Sequence, residues 1–154
     1  MRNQIKTETR LAFIQFVFSS LASENSIEDN ISDFEDYFYK LSISAIDQDK
    51  ELIINFNKKY FKTLTSSYQK FIKKNDVENI INPFIKFDRK FQNWDLINKS
   101  IILSILSELE FTKKEKVKIL LNDYFNICKL LISKKEIGMI NAITDKYVNE
   151  NNII

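Results

Sequence analysis

A chain of 154 residues with one glycine, Gly138, and one proline, Pro83, has little freedom to turn sharply. Strand-rich folds need many tight turns, and tight turns take Gly and Pro for their special backbone angles. Such a chain is therefore expected to be all-α, its helices joined by short polar loops. With 44% hydrophobic residues at this length it can bury a real core, and residues 1–154 are expected to form one domain. Ile, Asn and Lys are abundant while Arg is down to Arg2, Arg10 and Arg89. Those abundant residues have AT-rich codons, so the bias is read as genomic rather than functional.

Apolar residues recur at three-four spacing along most of the chain. The pattern predicts helices over 9–22 (Leu11, Ile14, Phe18, Leu21), over 34–41 (Phe34, Tyr37, Phe38, Leu41), and over 49–73 (Leu52, Phe56, Tyr60, Leu64, Tyr68, Phe71). A fourth, 77–87, contains Pro83, which lacks the N–H that a helix interior needs and should kink it or restart it. The segment 95–111 is apolar almost all round and is expected at the centre of the molecule. Thr112-Lys113-Lys114-Glu115 fits a capping box opening a sixth helix through Val117, Leu120, Leu121, Tyr124, Cys128 and Leu131. Residues 134–138 read as a turn, and 139–148 as a seventh helix with Met139, Ile143 and Tyr147 on one face.

Little here supports catalysis. The chain has no His, which removes the usual near-neutral proton carrier and the commonest metal ligand. The single Cys128 sits at helical spacing among apolar residues and reads as a small buried hydrophobe. One glycine cannot make a phosphate-cradling loop, and there is no Cys/His cluster for zinc. The reading is therefore of a non-enzyme with no cofactor. A lone cysteine fits a reducing compartment. The basic Arg2, Lys6 and Arg10 ahead of the apolar run 11–18 are interrupted by Glu8 and Gln15, unlike a signal peptide. No apolar run reaches membrane-spanning length, so a cytoplasmic protein with no membrane partner is expected.

Three blocks near the C-terminus keep a distinctive order: Ile97 to Leu109 (INKSIILSILSEL), Leu121-Asn122-Asp123, and Met139-Ile140-Asn141-Ala142-Ile143-Thr144-Asp145-Lys146. Near the N-terminus stands Arg10-Leu11-Ala12-Phe13-Ile14-Gln15-Phe16-Val17-Phe18. In order and spacing these segments resemble the NusB family of transcription antitermination factors. The resemblance covers both ends of the chain, and the middle matches in helix pattern alone. It implies about seven helices in two packed bundles. It also implies binding of single-stranded boxA-like leader RNA together with NusE, a small-subunit ribosomal protein, within the RNA polymerase antitermination complex of ribosomal RNA operons.

Carried over residue by residue, the RNA surface would comprise Arg2, Lys6 and Arg10 at one place and Lys134, Lys135 and Met139 at another. Two departures stand out. The family's arginine-rich run is represented here by Lys6, Thr7 and Glu8, and its RNA-contacting Phe by Met139, which offers no aromatic face for stacking. Net charge is only +2, so composition alone carries no nucleic-acid signal. Each element also has a plainer reading. Arg2, Lys6 and Arg10 read as a solvated terminus, and Lys113, Lys114, Lys116 and Lys118 as a solvated helix start. Asn122 and Asn141 read as helix-end structural residues, and Trp94 as a packing anchor. Two rival functions follow: a helical domain of the kind fused to RNA cytosine methyltransferases, against which the chain length argues, and a helical interaction module without RNA binding.

Overall fold

The computed structural model describes residues 3–23, 40–44, 51–87 and 89–153. Six α-helices occur among them: α1 (Asn3–Ala22), α2 (Lys58–Lys74), α3 (Val77–Ile81), α4 (Leu96–Leu109), α5 (Lys114–Cys128) and α6 (Lys134–Glu150). Short 3-10 turns at Asn82–Phe84 and Phe91–Asn93 link α3 to α4. The fold is helical, as expected, with one addition. Strands β1 (Lys40–Ser44) and β2 (Glu51–Asn55) pair antiparallel, with Leu41 opposite Ile54 and Ile43 opposite Leu52.

This hairpin corrects the predicted helix over 49–73. Leu52 and Phe56 lie four apart, an even spacing that shares a face in a strand as readily as in a helix. The helix begins instead at Lys58, where the Asn57 side chain caps it by accepting from the Tyr60 N–H at 2.8 Å. The predicted helix over 34–41 lies outside the described residues up to position 39, and Lys40 and Leu41 belong to β1. Pro83 acts as a restart: α3 ends at Ile81 and the proline occupies the first turn of the 3-10 segment.

Helix α4 is central. It buries 11 of its 14 residues, including Ile101, Ile102, Leu103, Ile105, Leu106 and Leu109. Ser100, Ser104 and Ser107 are buried too, and each returns its hydroxyl to the carbonyl four residues earlier, at 2.6–2.7 Å. Helices α1 and α2 pack with α4 as one group, α5 and α6 as another, so that α4 is shared between them. Phe13 and Phe16 of α1 meet Phe61 and Tyr68 of α2 edge-on, at 5.7–6.3 Å between centroids. Trp94 is buried against Phe91, and its indole N–H donates to the Arg89 carbonyl at 3.1 Å, the packing anchor its position suggested.

Two helix starts differ from expectation. Helix α5 has at its cap Lys113, whose ammonium cannot accept from a backbone N–H, while the Thr112 hydroxyl donates back to the Glu108 carbonyl at 2.6 Å. The capping box stands at α6 instead. The Ser133 hydroxyl accepts from the Glu136 N–H, and the Glu136 carboxylate accepts from the Ser133 N–H. The segment 134–138 is thus the first turn of α6 rather than a separate turn, and Gly138 lies within the helix.

Candidate nucleic-acid interface

The N-terminal half of α1 ends up over the C-terminal end of α4 and the middle of α5, and a polar cluster forms where they meet. Arg10 is 8% exposed and sits at its centre. Its Nε and one terminal nitrogen grip the Glu108 carboxylate at 2.7–3.1 Å, and the other terminal nitrogen donates to Asp123 at 2.6 Å. Glu108, 1% exposed, also accepts from the hydroxyls of Tyr124 at 2.7 Å and Tyr60 at 2.5 Å. The second Asp123 oxygen accepts from Thr7 at 2.7 Å. The guanidinium also lies 5.6 Å from the Tyr124 ring centroid, over its face.

The electrostatics follow from this packing. Burial alone would lower the Arg10 pKa, but the bonds and charge of Glu108 outweigh it and hold the guanidinium above its ordinary value. Burial, reinforced by the Glu108 charge, pushes both the Tyr124 and Tyr60 hydroxyls up. They remain neutral donors to the carboxylate. Such a cluster fixes α1 against α4 and α5.

Arg10 is accordingly not the exposed phosphate contact expected from the sequence. Its charge is committed to two carboxylates inside the fold. Arg2 lies outside the described residues. Lys6 is half-buried, on the wall of a cleft of about 620 Å³ that opens beside the cluster. Facing the same cleft are Lys113 and Lys116 of the α5 start, Asn122 and Asn126 about two and three turns on, and two apolar side chains left in the open. Those two are Phe111, 43% exposed, and Ile119, 62% exposed. Lys113 and Lys116 read in sequence as a solvated helix start, and only the fold shows that they join Lys6. Asn122 was expected to be structural, yet it is exposed on the cleft wall; Asn141 is also exposed, on α6.

Lys134, Lys135 and Met139 stand elsewhere. Lys134 and Lys135 are exposed on the first turn of α6, and Met139 is half-buried against the core. That turn is pinned to the other end of α4, where the Asn98 amide donates to Glu136 at 2.7 Å. This bond, with those from Ser133, holds the Glu136 carboxyl below the usual carboxylate range. Asn98 and Glu108 are ten residues apart on one helix, about 15 Å at 1.5 Å per residue. The two halves of the expected surface therefore flank α4 at opposite ends. Among the described residues, no helix is long and apolar enough to cross a membrane.

Comparison with known proteins agrees with this architecture. Residues 7–149 match the family model described as NusB family. The transcription antitermination protein NusB of Rickettsia felis is 26% identical over 149 residues, covering 97% of this chain and 94% of that protein. The protein of the same name from Rickettsia massiliae is 25% identical over 146 residues, covering 95% and 92% respectively. The match runs from α1 to the last turn of α6 and takes in Arg10, Glu108 and Asp123 together, so the chain belongs to the NusB family.

Proposed function

We propose that this protein is a cytoplasmic, non-catalytic transcription antitermination factor. It binds single-stranded boxA-type leader RNA together with NusE, as part of the RNA polymerase antitermination complex, and promotes read-through in ribosomal RNA operons. The observation that carries this reading is the cleft at the start of α1, where Lys6, Lys113 and Lys116 stand round the half-exposed Phe111. Cations beside an open aromatic ring suit a single strand, with phosphates held by charge and a base laid on the ring. Lys134 and Lys135 hold phosphates at the far end of α4, and Met139 covers a base there with a polarizable but non-aromatic surface. Arg10 serves this surface indirectly by fixing α1 against α5, which sets where Lys6 meets Lys113.

The test is a titration of boxA-sequence RNA against the protein, with and without NusE, over a range of salt. Each neutralised phosphate on a single strand contributes roughly 0.7 to the log–log salt slope. Lys6→Gln with Lys113→Gln should therefore weaken binding and flatten that slope by roughly 1.4. Met139→Phe should tighten binding by restoring an aromatic face. A loss of melting temperature in that variant with no gain in affinity removes Met139 from the surface. The second reading, a helical interaction module without RNA binding, is favoured by the internal commitment of Arg10. It prevails if boxA RNA fails to bind both alone and with NusE while NusE itself still binds.

A further inference from the structure

A second cleft, of about 650 Å³, runs along α2 against the turn that follows α4. Lys59, Lys62, Lys70 and Lys74 line it, and among the described residues Glu110 is the one carboxylate on its walls. Phe111, 43% exposed, lines both clefts, so its ring stands where the two adjoin. From Lys59 to Lys74 the lysine face extends fifteen residues along the helix, about 22 Å.

Helix architecture accounts for part of this charge but not for Lys59. Cations in a last turn are favoured by the helix dipole, which accounts for Lys73 and Lys74. Lys59 lies in the first turn, where the dipole disfavours a cation and where α2 has no acidic residue. An anion lying along the cleft would offset that repulsion. We propose that the α2 cleft is a second track for single-stranded RNA, continuing past Phe111 the strand that occupies the Lys6 cleft; this rests on the RNA-binding reading above. The strand runs with its phosphates along Lys59, Lys62, Lys70 and Lys74, and a base stacks on Phe111 at the junction. An acidic polypeptide would meet the lysines equally well, but it offers no base to the ring where the two clefts adjoin.

Two fluorescent RNAs decide it: one of boxA length, and the same RNA extended at both ends by unstructured adenosine tracts. The extended RNA should bind the wild-type protein more tightly and with a steeper salt slope. Lys70→Gln with Lys74→Gln should remove roughly 1.4 from the slope for the extended RNA and leave the short one unchanged. Phe111→Ala should weaken the extended RNA by roughly five- to hundredfold, the range of one lost base stack. Equal affinity of the two RNAs for the wild type, or equal loss on both in the Lys70/Lys74 variant, overturns the track. So does competition by polyglutamate as strong as that by polyadenosine at equal charge. Failure of the short RNA to bind the wild type strikes the boxA reading instead, and the track then stands or falls on the extended RNA alone. The lysines are exposed, so an unchanged circular dichroism melt is expected for their variant.

Discussion

Replacing Arg10 by methionine keeps the apolar stem and removes the charge. Glu108 would then be left ionised at 1% exposure, with two tyrosine hydroxyls but no cation, and Asp123 would lose its 2.6 Å partner. Breaking a buried pair by removing one partner costs about 3–5 kcal/mol. At about 2–4 °C per kcal/mol for a chain of this size, the melting temperature should fall by roughly 6–20 °C. The loss should also depend on pH. A buried carboxylate without its counter-charge has a folded pKa raised above its unfolded value of about 4.3. Its contribution to stability is complete below that value and disappears as pH rises through the raised one. Arg10→Met should therefore lie closer to wild type near about pH 5 than near about pH 8. Adding Glu108→Gln should restore part of the loss, since an amide oxygen still accepts from Tyr60 and Tyr124. Thermal melts of the three proteins at two pH values provide the assay. A loss below about 1 kcal/mol that does not vary with pH would be the signature of an exposed pair, and would return Arg10 to the list of RNA contacts.

Three further outcomes are expected. Ser133→Ala should cost about 1 kcal/mol by opening the capping box of α6, read as a lower melting temperature. Because Asn98 and Ser133 hold Glu136 below its ordinary range, its contribution is present at neutral pH and lost as pH falls through the lowered value. Glu136→Gln should accordingly differ from wild type at neutral pH and converge with it in acid, and a gap that persists in acid would contradict the assigned bonds. Gly138→Ala should stabilise by about 0.5–1 kcal/mol, since the position is helical, without positive φ, and has nothing within 4 Å of an added Cβ. Cys128 is fully buried, with its thiol pushed up to about 12, so a thiol reagent at neutral pH should label it only on unfolding.

The helical class is legible because an apolar stripe at three-four spacing is a local property, and the all-round apolar character of 95–111 points to its central place. Where spacing is ambiguous the reading failed: Leu52 and Phe56 fit two periods, and the cap at Asn57 settles which one holds. The capping pattern occurs twice, at Thr112 and at Ser133, and the box forms at the second. A Thr hydroxyl can bond back into the helix it leaves as well as forward into the one it precedes, and at Thr112 the first wins. Arg10 was expected in solvent because its partners lie 98 and 113 residues away, and nothing near it in the sequence hints at them. For the same reason Lys113 and Lys116 looked like an ordinary solvated start; their meeting with Lys6 is a product of tertiary packing.

That separation also sets an order on synthesis. At about 5–20 residues per second, roughly 5–20 s pass between the emergence of Arg10 and that of Glu108, and Asp123 comes later still. Through that interval α1 carries Leu11, Phe13, Ile14, Phe16 and Val17 with no α4 to cover them, and a cation with no internal mate. Helix α1 can meet α2 early, but its packing is completed only when α4 follows. In the growing chain its apolar face stays partly uncovered, and its arginine without a carboxylate, until Glu108 appears.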